Sequence, residues 1–167
     1  FSMAFALQNL VWGFGAIGAG MMADRFGSGR TIAMCVVFYA VGLLGTRFSS
    51  TELEFYLSAG VLIGLGQAGT TFAVILPVIA RTVPLSSRST AMGIASAGGS
   101  LGQFLVVPTG QLLIDSLDWT GAYLVLSMVL AATLPLVWFL RGKPGASAGP
   151  QQSMFSAIGQ ALKHPTF

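Results

Sequence analysis

The sequence predicts an all-α integral membrane protein of five transmembrane helices, and three observations carry that reading. Only 8% of the 167 residues are charged and 54% are hydrophobic, where a soluble domain carries roughly 25% charged residues. The apolar residues gather in five runs, at about 3–23, 31–46, 55–80, 89–114 and 122–140. Most of these are long enough for a hydrocarbon core of roughly 30 Å at about 1.5 Å of helical rise per residue, and the second is nearly so. The short turns between them hold the charge. Arg25, Arg30, Arg81, Arg88, Arg141, Lys143 and Lys163 follow the odd-numbered runs, whereas Arg47 alone follows an even one, near Glu52 and Glu54. The bias of Lys and Arg toward cytoplasmic loops places the odd turns and the tail inside and Phe1 outside.

The first run carries two amides, Gln8 and Asn9. A polar side chain within a span needs a partner or a cavity, so this helix is expected to face an interior. The second run and the fifth are mostly Val, Leu, Ala, Met and Phe, and they read as lipid-facing supports. Cys35, alone in the second run, reads as a small apolar filler.

The third run places Gly60, Gly64, Gln67, Thr71, Val74 and Val78 at i, i+4, i+7, i+11, i+14 and i+18, which gives one helical face small or polar side chains over much of its length. In the fourth, Ser96, Ser100, Gln103 and Gln111 share a stripe, and Gly98 and Gly102 form a small-xxx-small face beside it. Gln67 and Gln103 fall near the middle of their runs, close to the bilayer midplane. Each amide could line a cavity or bond across helices; both roles remain open. Gln67, Thr71, Ser100, Gln103, Gln8 and Asn9 are the candidate substrate-pathway residues. Pro77, Pro108 and Pro135 each remove a backbone donor and predict kinks.

Phe48, Phe55, Tyr56, Trp119 and Tyr123 lie near the outer edge, with Trp138 and Phe139 near the inner, as interfacial anchors do. The spans thus occupy residues 1–141. Residues 142–167 read as a cytoplasmic linker, glycine- and proline-rich at first, then with Met154, Phe155, Ile158, Ala161 and Leu162 spaced for a short amphipathic helix. A start at Phe1 and an end at Phe167 predict an internal piece of a larger protein. The basic residues form no patch with interleaved aromatics, which argues against nucleic acid. One Cys, one His and five acids outside the spans supply no metal-ligand spacing, cofactor loop or catalytic triad.

The turn between the first two runs is the most specific feature. Arg25 suits the negative end of the first helix, whereas Asp24 there calls for a cation or another helix's N-terminus. Gly27 and Gly29 permit a left-handed reversal, Thr31 can cap the following helix, and Gly20 permits a neighbour's close approach. Gly20, Asp24, Arg25, Gly27 and Arg30 resemble the cytoplasmic signature G-x-x-x-D-R-x-G-x-R-R/K of the major facilitator superfamily. Gly29 departs from it where that family has Arg or Lys. Pro84-x-x-x-Arg88-x-x-x-Met92-Gly93 is similar to the entry into helix five of many members.

The resemblance implies that the five runs are helices two to six of an incomplete six-helix half. It implies alternating access, with residues 20–30 latching the cytoplasmic side against the other half. The first helix and the carboxy-terminal half would then be missing partners, beside the lipid bilayer, a small-molecule substrate and a coupling ion. Ser96 to Gln103 and the stretch Leu162-Lys163-His164-Pro165 look like the bacterial monocarboxylate and oxalate/formate porter branch, which implies a bacterial inner membrane and an organic anion. The competing readings are a channel subunit, a membrane-embedded enzyme, or an inert truncated fragment.

Overall fold

The structure, a computed structural model, describes residues 2–139. The proposed linker and its amphipathic helix lie outside the described residues. Helix α1 (Ser2–Phe26) and α2 (Ser28–Phe48) cover the first two runs. The third run is built from α3 (Glu52–Phe55), a π-helical segment (Tyr56–Leu62), α4 (Ile63–Gly69) and α5 (Phe72–Thr82). A 3-10 turn (Leu85–Ser87) leads into α6 (Arg88–Ala132), and α7 (Leu134–Phe139) follows.

Four helical stretches among the described residues are long and apolar enough to cross a membrane. The last, Leu85–Val137, is 53 residues long, about twice what a bilayer requires. Asp118, at φ 59 and ψ 170, divides it into limbs 88–117 and 119–132. The fourth and fifth expected runs therefore meet at a single non-helical residue. Prolines account for little of the interruption. Helical dihedrals run through Pro108, Pro77 lies inside α5, and the third run breaks earlier, at Thr70 and Thr71. Only near Pro135 does a helix end close by, at Thr133.

Close approach at glycine decides the packing. On one side of α4 a Cβ added at Gly66 would stand 2.5 Å from the Cβ of Tyr39, and one at Gly69 would collide with Cys35. Toward α1, a Cβ added at Gly60 would stand 2.8 Å from Leu7 Cδ2, and one at Gly64 would stand 2.9 Å from the Gln8 carbonyl oxygen. Helices that share little hydrophobic drive in lipid associate where small residues let backbones approach.

The expectation of a lipid-facing second run does not hold. Helix α2 buries Thr31, Ile32, Cys35, Val36, Leu43 and Thr46, among others, and sits against α1, α4 and the 119–132 limb. Its two buried hydroxyls are satisfied within the helix: Thr31 Oγ1 donates to the Gly27 carbonyl at 3.2 Å, and Thr46 Oγ1 to the Gly42 carbonyl at 2.8 Å. The 119–132 limb also joins the core, burying Ala122 and Ser127. The 88–117 limb does the opposite, with Phe104 at 74% and Val107 at 73% exposure. Polarity had suggested which helices face inward; the glycine contacts, which polarity does not report, set the order.

Candidate functional site

Two of the six candidate pathway residues meet directly. Gln8 Nε2 on α1 donates to Gln67 Oε1 on α4 at 3.0 Å, in a half-buried contact between the helices. The bond uses one amide donor of Gln8 and one acceptor of Gln67, and so does not use the two N–H donors of Gln67. Asn9 is exposed and turns back on its own helix, its Nδ2 donating to the Phe5 carbonyl at 2.8 Å.

One turn beyond Gln67 the third run stops being helical. Thr70 leaves the helix at φ −102 and ψ 11, and Thr71 is extended at φ −77 and ψ 160. The hydroxyls partly replace the lost ladder: Thr70 Oγ1 donates to the Gln67 carbonyl at 3.1 Å, and Thr71 Oγ1 to the Ala68 carbonyl at 3.1 Å. Helix α5 restarts at Phe72 with no side-chain cap on its N-terminus. The Phe72 ring reaches the 88–117 limb at Gly99, where an added Cβ would lie 2.8 Å from the ring tip. That contact brings the break next to Ser100, the neighbour of Gly99 in sequence. Ser100 and Gln103 are themselves exposed.

The turn at residues 20–30 takes a tighter form than its composition indicates. Gly27 alone separates α1 from α2, with φ 92 and ψ 140. Its N–H donates to the Ala23 carbonyl at 3.0 Å, and its carbonyl accepts from the Thr31 N–H at 3.2 Å. Gly29 does not share the reversal; it is buried inside α2, and Thr31, expected as a cap, lies within the first turn of that helix. Arg25 lies over the Phe26 ring at 5.3 Å, and Asp24, Arg25 and Arg30 are exposed. Its own helix backbone and chain neighbours aside, no described atom lies within 4 Å of a Cβ built on Gly20.

Comparison with known proteins decides the class. The family model described as the Major Facilitator Superfamily matches residues 1–167. The chain belongs to that superfamily. Among curated relatives, human monocarboxylate transporter 11 is 30% identical over 168 residues, covering 96% of this chain and 33% of that protein. Monocarboxylate transporter 4 of Rattus norvegicus is 31% identical, covering 74% of the chain and 26% of that protein. A probable chloroplastic anion transporter 3 of Arabidopsis thaliana is 25% identical, covering 89% and 28%. The chain thus spans about a third or less of these relatives. It is a transporter-family membrane protein, and its helical content fits the superfamily's all-α membrane fold.

Sequence reasoning passed over two features of this superfamily chain. The break at Thr70 and Thr71 had a signal in the Gly66, Gly69, Thr70, Thr71 cluster, whose members are poor helix formers. The capping box that starts α3, with Glu54 N–H donating to Thr51 Oγ1 at 3.3 Å and Glu54 Oε2 accepting from Thr51 N–H at 3.2 Å, was legible as Thr-x-x-Glu.

Proposed function

We propose that this chain supplies helices two to six of the amino-terminal half of a secondary transporter that moves a small organic anion, of the monocarboxylate class, by alternating access. One observation carries the reading: the discontinuous third run, with Thr70 and Thr71 interrupting it one turn from the Gln8–Gln67 pair. Interrupted helices near the midplane are where transporters present backbone dipoles to substrates. The start of α5 favours negative charge, and the unused N–H donors of Gln67 suit a carboxylate oxygen. The names of the monocarboxylate and anion transporter relatives favour the same substrate class.

On this reading Gln67, Thr71, Ser100 and Gln103 face the pathway, while Gln8 holds Gln67 and Asn9 stands aside. Residues 20–30 form the cytoplasmic gate, Phe1 lies outside, and the tail is cytoplasmic in a plasma or bacterial inner membrane. The first helix, the carboxy-terminal half and a coupling ion complete the transporter. Uptake of radiolabelled lactate into proteoliposomes holding the complete protein tests this. Thr71→Val and Gln67→Leu should each raise KM with the protein still folded. Wild-type vesicles that take up no monocarboxylate would reject the substrate class, and an unchanged KM in both variants would reject the site.

A further inference from the structure

At the end of the bundle that carries the capping box, two cavities share a wall. The first, of about 590 Å³, is lined by Ser50, Glu52, Phe55, Tyr56, Trp119 and Tyr123, among others. The second, of about 360 Å³, is lined by Ala4, Phe5, Leu43, Ala59 and Ile63, together with Gln8 and Tyr39. Phe55 and Tyr123 belong to both walls, so the two cavities adjoin.

The chemistry of the first cavity is specific. Its rings come as two edge-on pairs, one from each side: Phe55 with Tyr56 at 6.5 Å and 64°, and Trp119 with Tyr123 at 6.2 Å and 85°. Glu52 is the acid on its wall, exposed at the start of α3. Arg47, the nearest cation in sequence, is turned to other partners, its Nη1 donating to the Thr120 carbonyl at 3.3 Å and its guanidinium lying 5.4 Å from the Phe48 ring. Aromatic faces beside a carboxylate recognise an ammonium group, above all a methylated one. The second cavity offers hydrocarbon contacts instead.

We propose that the two adjoining cavities together form a binding site for one zwitterionic phospholipid. Its ammonium group sits among Tyr56, Trp119, Tyr123 and Glu52, its phosphate lies toward Ser50, and one acyl chain enters between Ala4, Leu43, Ala59 and Ile63. The inner cavity touches Gln8, the partner of Gln67, but neither cavity is lined by Gln67 or Thr71, and binding there does not depend on what the protein transports. Charge complementarity selects the occupant: a carboxylate among aromatics attracts a choline or ethanolamine head and repels an anionic one.

Native mass spectrometry of the complete protein, released from detergent with phosphatidylcholine or phosphatidylglycerol of matched acyl chains, tests the assignment. The wild type should retain phosphatidylcholine preferentially. Glu52→Gln and Trp119→Ala should each lower that retention by roughly tenfold. Glu52→Lys should reverse the preference toward phosphatidylglycerol, a gain that a misfolded variant would not show. Ala59→Leu, which narrows the inner cavity, should reduce retention of both lipids. Equal retention of the two lipids by the wild type, or retention unmoved by Glu52→Gln, overturns the proposal. So does loss of bound phosphatidylcholine to free tetramethylammonium at equal concentration, since the cavity would then be a site for a soluble cation.

Discussion

Gln8 and Gln67 bond at 3.0 Å across the α1–α4 contact, and the helix that carries Gln67 breaks within one turn of it. A polar pair so placed fixes the register of two helices where one of them has lost part of its own ladder. In a double-mutant cycle with Gln8→Leu and Gln67→Leu, thermal unfolding in detergent should show coupling of about 0.6 to 2 kcal/mol. Strictly additive losses would mean that the bond contributes nothing to holding the helices.

Glycines that are in contact should be distinguishable from glycines that are not. Gly66→Ala forces a methyl onto Tyr39 backbone atoms at 2.7 Å and should cost about 1 to 3 kcal/mol. Gly98→Ala meets nothing within 4 Å and should stabilise the chain by up to about 1 kcal/mol through helix propensity. Equal effects at the two positions, read from melting temperatures, would remove the packing explanation.

Asp118 occupies a backbone region that glycine enters freely and other residues enter at a cost of about 1 to 3 kcal/mol. Asp118→Gly should therefore raise the melting temperature, and Asp118→Ala should not. A stabilised alanine variant would show that the strain is absent.

The gate reading makes a separate demand. Asp24→Asn in the complete protein should lower transport on the order of tenfold, a loss of about 1.4 kcal/mol in the rate-limiting step, while insertion and folding are retained. Gly27→Ala, at φ 92, should instead reduce folded yield. Full transport by Asp24→Asn vesicles would end the latch hypothesis.

Hydropathy marked the chain as helical and membrane-spanning, because each span must satisfy its own backbone in lipid and so leaves a long apolar run. The break in α6 at Asp118 falls in the gap between the fourth and fifth expected runs. The order of the helices was much less legible. Amides marked the first, third and fourth runs as interior, and for Gln8 and Gln67 that pointed to a real contact. Yet Gln103 and the rest of its stripe are exposed, while the apolar second run is central. Lipid and protein interior are equally apolar, so an apolar helix does not state which it faces. The decisive information lay in which glycine opposes which side chain, Gly66 to Tyr39 and Gly69 to Cys35, and such pairings join residues far apart in the chain.

The single-residue joint at Gly27 bears on how such a bundle can rearrange. A connector of one amino acid has no slack, and its N–H and carbonyl are both tied to the helices it joins. Helices α1 and α2 must therefore swing as one lever at that end. Any difference in their travel has to be taken up at the far end or at Thr70 and Thr71, where the helical ladder is interrupted.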